Sequence, residues 1–368
     1  MKKLFFIAVA AMAIAACTKT EVNGPKLNVI GFQPANNIET KVTGTQFPVT
    51  ETFGTYAWTE GTTGEYFIDN KEVSFTGSVW TTATPYYWPK NQSVDFFSYY
   101  PYNATGAVPV VAKTKINYNN VNFESTQLDI MYADKAVAFT DNADQVQVTG
   151  EDAQSALTGV PTIFRHAGAK VKVNVILGVN TKNETDGSVT KWEVHLKSIV
   201  LSGLYIQGSC ELNLATTPTT GLVPWVKPTG NVWTNATLTN DITNEMYKSR
   251  QEFDLVPNEG VEAIPSFYVL PQALAAGQQR ATLVFDVDTY RKAAGQTEFV
   301  KVLHQENLEA RTDLRINTND LNQILAWEMN QNIVYNITIG PAGKQITFDP
   351  AVDAWENKTV STNIELEI

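Results

Sequence analysis

The chain is poor in the residues that build covalent staples and metal centres. It has 2 cysteines, Cys17 and Cys210, and 3 histidines in 368 residues. Cys17 ends an apolar leader, so Cys210 is left without an internal disulfide partner, and the chain must be held by its core. His166, His195 and His304 lie far apart, with no H-E-x-x-H and no C-x-x-C, so no zinc spacing is present. No G-x-S-x-G elbow, no G-x-G-x-x-G after a strand and no P-loop occurs. No cofactor or metal is expected. Positive charge is scarce too. The formal net charge is −11, and such an acidic chain is a poor partner for nucleic acid. Charged residues make up 18%, but apolar residues reach 43%, an ordinary globular share that argues against disorder. There is no internal repeat and no low-complexity block. Outside residues 4–16 no apolar run could insert in a bilayer.

What is present begins with a targeting pattern. Lys2 and Lys3 precede a 13-residue apolar run, Leu4 to Ala16. A membrane span needs about 20 such residues, so the run reads as a secretory signal over residues 1–16. Ala15 and Ala16 stand before Cys17, and "AIAAC" resembles a bacterial lipobox. That resemblance implies a diacylglycerol on the Cys17 sulfur, cleavage before Cys17 and acylation of the new amino group. Ordinary secretion, with Cys17 in the discarded or neighbouring piece, is the competing reading. Loss of Lys2 and Lys3 leaves 25 basic against 38 acidic residues.

The mature chain, about 350 residues, is long enough for two domains. Period-2 alternation dominates it. In "KVKVNVIL" (170–177) Val171, Val173, Val175 and Leu177 share one face. "WEVHLKSIVL" (192–201) sets Trp192, Val194 and Leu196 inward and Glu193, His195 and Lys197 outward. "NIVYNITIG" (332–340) alternates through Ile333, Tyr335, Ile337 and Ile339. Shorter strands are expected at 27–32, 94–100, 281–287 and 298–304. Turn residues such as Asp186-Gly187 and Pro257-Asn258 separate the runs. One short helix is expected over 319–329, with Leu321, Ile324 and Leu325 inward. Many strands and few helices predict an all-β fold, most simply sandwiches. "DAQSALTGVPTI" breaks the rhythm and divides the chain into β-domains at 17–159 and 160–368.

Candidate chemistry is thin. "DVD" (286–288) and "DNAD" (141–144) lack the Gly and distal Glu of a calcium loop and read as solvated loop carboxylates. A glycosidase pair leaves no local signature and stays open. "PYYWP" (85–89) and "FFSYYPY" (96–102) concentrate aromatics, which either fill a core or form a sugar-stacking platform.

Several stretches, in shared order, resemble the fimbrillin-like family of surface pilus subunits from gram-negative anaerobes. They are the lipobox at Cys17, "FGTYAW" (53–58), "YYWPKNQSVDFFSYYP" (86–101), "LDIMYAD" (128–134) and "IFRHAGAKVKVNV" (163–175) with Phe164 and His166. "FYVLPQ" (267–272) and "YNITIG" followed by "ITFDPAVDAW", ending at Trp355, complete the series. The resemblance implies tandem transthyretin-like β-sandwich domains and a lipid anchor at the outer membrane. It also implies a trypsin-like cut after the first strand, whose place a strand of a neighbouring subunit then fills. "LNVIGF" is the expected displaced strand and Lys41, in the following loop, the expected cut. Family members often carry Arg there, so either a Lys-tolerant protease cuts or the cut does not occur and Lys41 is an ordinary solvated loop lysine. The terminal "VSTNIELEI" sets Val360, Ile364, Leu366 and Ile368 on one face; it is either a donated strand or an ordinary last strand. The implied role is a structural subunit or accessory adhesin, not an enzyme, with other fimbrial subunits and the outer membrane as partners. A stand-alone outer-membrane surface lipoprotein that binds glycan or peptide is the alternative, and a surface hydrolase has the least support.

Overall fold

The computed structural model describes residues 29–36, 47–61, 65–90, 92–140, 159–213, 221–223, 233–238, 247–316, 324–340 and 356–360. It is all-β, with 62% strand and 2% helix. The first part carries β1 (Phe32–Asn36), β2 (Phe53–Thr59), β3 (Ile68–Phe75), β4 (Trp80–Thr82), β5 (Val94–Tyr100), β6 (Val110–Ala112) and β7 (Lys115–Asn122). A one-turn helix, α1 (Phe123–Thr126), leads into β8 (Met131–Ala133), β9 (Lys135–Phe139) and β10 (Val160–His166). Then come β11 (Ala169–Leu177), β12 (Thr181–Asn183), β13 (Val189–Ser202), β14 (Tyr205–Asn213), β15 (Gly221–Val223), β16 (Thr234–Leu238) and β17 (Phe253–Leu255). The last strands are β18 (Gly260–Val269), β19 (Gln272–Ala273), β20 (Arg280–Lys292), β21 (Val300–Asp313), β22 (Ala326–Trp327), β23 (Gln331–Ile339) and β24 (Glu356–Val360).

The N-terminal sheet closes on itself. Strands β5-β2-β3-β4-β1-β10-β8 follow one another, and β8 pairs back onto β5, giving a barrel-like ring of 7 strands. Phe32, Phe53, Trp80, Phe96 and Phe164 fill its interior. Closure removes the free edges that would otherwise invite pairing. In β2 and β5 both faces are buried, and this accounts for the aromatic density of the sequence. Phe53, Val94 and Phe96 point into the ring. Tyr56, Trp58, Phe97 and Tyr99 point out, into a second core shared with Tyr118 of β7 and with Cys210 and Leu212 of β14. The aromatic run is thus core, with Trp88 8% and Tyr87 40% exposed.

The C-terminal strands form a sandwich. One sheet runs β18-β11-β23-β24; the other runs β12-β13-β20-β21, with β17 also on β13. Val171, Val173, Val175 and Leu177 from the first sheet and Val194, Leu196, Leu283 and Phe285 from the second share one core. Alternation assigns Val171, Val173, Val175, Leu177, Val194 and Leu196 inward. At its end Trp327 Nε1 donates to Tyr335 Oη (2.8 Å), which donates to the Leu314 carbonyl (2.9 Å), so two buried polar groups are satisfied.

Four expectations are revised. The first strand begins at Phe32, where 27–32 was expected; Val29 makes only an isolated bridge to Tyr87. The helix expected over 319–329 is absent from the described part of that span. Ile324 bridges Ile316, and β22 pairs with β19, because Ile324 and Trp327 are drawn into the core while Leu325 stays 40% exposed. Asp286 and Asp288 lie on β20, not in a loop. Backbone ladders also cross the 159/160 boundary: β10 pairs with β1 and β8, and β14 pairs with β7. Among the described residues no helix is long and apolar enough to cross a membrane.

Candidate functional site

β1 is held unevenly by its two neighbours in the ring. It runs parallel to β10 with the register Phe32↔Val160 to Asn36↔Phe164, but meets β4 only at Phe32↔Trp80. Its partner ladder carries two prolines, Pro34 and Pro161, which have no N–H to donate. One large side chain anchors it. Phe32, 2% exposed, meets Phe53 and Phe96 edge-on at 6.0 and 5.8 Å. Next to it, the Gln33 Oε1 is buried without a hydrogen-bond partner, and so is the Thr81 Oγ1 of β4. The approach to β1 is tight at one point. Gly159 has φ +138°, and a Cβ there would lie 2.9 Å from the Gly31 carbonyl.

β10, by contrast, is firmly held. Arg165 Nε and Nη2 donate to the two Asp134 carboxylate oxygens at 2.8 and 3.0 Å, a nearly buried bidentate pair. His166 Nδ1 lies 2.6 Å from Asp129 Oδ1. Removing β1 would therefore leave a slot between β4 and a fixed β10, with Phe53, Phe96 and Phe164 at its floor.

Of the residues singled out in the sequence, Cys17, Lys41, Ile364, Leu366 and Ile368 lie outside the described residues. Val360 ends β24, whose backbone runs parallel to β23 from Gln331↔Glu356 to Tyr335↔Val360. Sequence reading missed the walls of the slot, β4 and β10. Pro34 and Pro161, set within strand-forming residues, were the available signal.

A second polar region covers the outer face of the β13-β20 sheet, a groove of about 640 Å³ lined by His195, Asp254, Asp286, Asp288 and His304 among others. Cross-strand register brings these groups together, since His195 faces Asp286 and Asp288 faces His304. His195 contacts Asp254 (2.7 Å) and Glu252 (2.9 Å), and His304 contacts Asp288 (2.5 Å) and Glu306 (3.0 Å). Hydrogen bonds to Glu252 and Asp254 raise the pKa of His195, and those to Asp288 and Glu306 raise that of His304. The Asn307 N–H holds Asp286 below the usual carboxylate range, and Lys301 does the same for Asp288. Both partners favour the charged form of these carboxyls. Among the described residues no cluster of His, Cys, Asp and Glu has metal-holding geometry. Cys210 is buried and its thiol is pushed up to about 12, which leaves it inert.

The sequence profile described as fimbrillin-like matches residues 40–355. No curated protein matches. Solved structures similar to the chain include a candidate cell adhesion protein from Bacteroides uniformis, 18% identical, covering 88% of this chain and 98% of that one with a TM-score of 0.42. Another is a candidate cell adhesion protein from Bacteroides eggerthii, at 12% identity, 92% and 96% coverage and a TM-score of 0.42. A fimbrial protein from Bacteroides ovatus is 12% identical over 85% of this chain and 50% of that one, with a TM-score of 0.31. These structural likenesses are too distant to argue from. The profile match, which spans most of the length and follows the ordered motifs from "FGTYAW" to Trp355, is not: the chain belongs to the fimbrillin-like family.

Proposed function

We propose that this protein is a structural subunit or accessory adhesin of a surface fimbrium, built from tandem transthyretin-like β-sandwich domains and assembled by exchange of β1 for a strand of a neighbouring subunit. It acts in cell adhesion and is not an enzyme. Cys17 carries the lipid that holds it at the outer face of the outer membrane. Proteolysis after Lys41 frees β1, and the terminal strand of another copy or of a related subunit enters the slot. Ile364, Leu366 and Ile368 supply its inward side chains, and Val360 joins them by leaving its place at the end of β24 beside Tyr335.

The observation that carries this reading is the character of β1. It completes the ring with one anchoring aromatic, a ladder containing Pro34 and Pro161, and a half-buried Gln33 whose Oε1 has no hydrogen-bond partner. An entering strand with β-branched residues and a full set of N–H groups would fit the same slot better.

The test is direct. Purified protein is trimmed with a Lys-specific protease, and a peptide of residues 358–368 is added. Cleavage giving an amino-terminal Val42, tight peptide binding and SDS-resistant ladders are expected, and Lys41→Ala abolishes all three. Trimmed protein that stays monomeric and ignores the peptide refutes strand exchange. A mature protein whose amino terminus is not acylated Cys17 or Val42 refutes the processing route.

A further inference from the structure

Among the described residues the C-terminal sandwich has a long free edge. β21 spans 14 residues and pairs only with β20 among the described strands. Its first half projects from the core with large apolar side chains in water. Val300 is 63%, Val302 57%, Leu303 47% and the preceding Phe299 38% exposed. A free strand edge is a template for pairing, and natural edges are normally guarded by charge, bulges or brevity. Here Lys301 and two bulges provide a guard, but the apolar residues remain uncovered.

We infer that β21 pairs antiparallel with β21 of a second copy, about a twofold axis at Gln305. The strand is complementary to its own reverse. In that register Lys301 faces Glu309, Val302 faces Leu308, Val300 faces Ala310, His304 faces Glu306 and Phe299 faces Arg311, and the one apolar–polar mismatch is Leu303 against Asn307. Each match occurs twice by symmetry. A one-residue slip sets Val302 against Asn307 or Glu309 and leaves Lys301 opposite Leu308 or Ala310. A two-residue slip sets Lys301 against Arg311, or Val302 against Glu306. The charges involved already have partners in their own chain: Lys301 lies 2.6 Å from Asp288, and Arg311 lies 2.5 Å from Glu309. The cross-copy pair therefore joins an existing network and strands no bare charge.

The bulges in the ladder to β20 fall between Phe285 and Val287 and between Thr289 and Tyr290. On β21 they skip Val302 and Glu306-Asn307, and they confine the regular contact to Val300-Lys301 against Glu309-Ala310 and its symmetry mate. Such a contact is weak, with a dissociation constant of roughly 10–1000 μM. It is lateral, uses no residue of the β1 slot and is open to the unprocessed chain.

Sedimentation velocity on the unprocessed protein across that concentration range tests the pairing, so failure of strand exchange has no bearing on the result. Concentration-dependent dimers are expected. Lys301→Glu sets two pairs of like charges opposite each other and weakens dimerisation about tenfold. The reversal, Lys301→Glu with Glu309→Lys, restores it, and Val302→Asp abolishes it. Thermal melts verify that each exposed substitution leaves the fold intact. A protein monomeric throughout overturns the pairing. So do dimers indifferent to Lys301→Glu or Val302→Asp, or a reversal that fails to restore them.

Discussion

Phe32→Ala separates the seating of β1 from the stability of the whole chain. Phe32 of β1 packs inside the ring, where it meets Phe53 and Phe96 edge-on. Truncating a buried Phe to Ala costs about 3–5 kcal/mol, part transfer and part cavity. If β1 can leave while the rest stays folded, that cost falls on the local opening. The opened population then rises by roughly 100-fold or more, since each factor of ten takes about 1.4 kcal/mol. Native-state hydrogen exchange read by mass spectrometry measures it. Peptides covering Trp80–Thr82 and Val160–Phe164 should exchange faster by that factor. Peptides from β11 and β23, which belong to the sandwich core, should change far less. Cleavage after Lys41 by a Lys-specific protease should accelerate in parallel wherever opening limits it. Equal acceleration in all peptides would mean that β1 is lost only with global unfolding. The slot would then be no site of exchange.

Other substitutions probe the remaining claims. Gly54→Ala places a methyl 2.2 Å from the Tyr99 ring, which is fully buried with its hydroxyl donated to Asn70 Oδ1 at 2.8 Å. A loss of about 1–3 kcal/mol is expected in chemical denaturation. Trp88→Ala should cost about 3–5 kcal/mol, because Trp88 packs in the ring core, whereas Tyr87→Ala at the exposed neighbour should cost under ~1 kcal/mol. If Tyr87→Ala instead destabilised as much as Trp88→Ala, the burial assignment would be wrong. His195 and His304 have folded pKa values raised above the usual 6.5 by their carboxylate partners. Their contribution to stability is complete below the unfolded value and disappears as pH rises through the folded values. The melting temperature of the native chain should therefore fall more between pH ~6 and ~8 than that of His195→Ala/His304→Ala, and imidazole proton NMR should place both midpoints above ~6.5.

The C-terminal sandwich was legible because each strand has one dry face and one wet face. Val171 to Leu177 and Ile333 to Ile339 alternate as written and share one core. The ring was harder to read. β2 and β5 serve two cores at once, so "FGTYAW" and "DFFSYY" carry no alternation, only aromatic mass. Ile324 and Leu325 suggested a helical face, but tertiary packing around Trp327 drew that segment into a bridge and a short strand. The boundary near 159 was inferred from composition, which cannot register that β10 belongs to the ring on its amino-terminal side. The salt links of His195 to Glu252 and Asp254 were equally invisible, since β17 supplies its half from a strand 59 residues away.

The outward aromatic layer of β2, β5 and β7 has a consequence for biogenesis. Trp58, Tyr99 and Tyr118 are covered by Cys210, Leu212, Trp233, Leu270 and Met329, all supplied from beyond Tyr205. A chain that folds from its amino terminus presents this sticky surface well before its cover arrives, so a fragment ending short of β14 should clump.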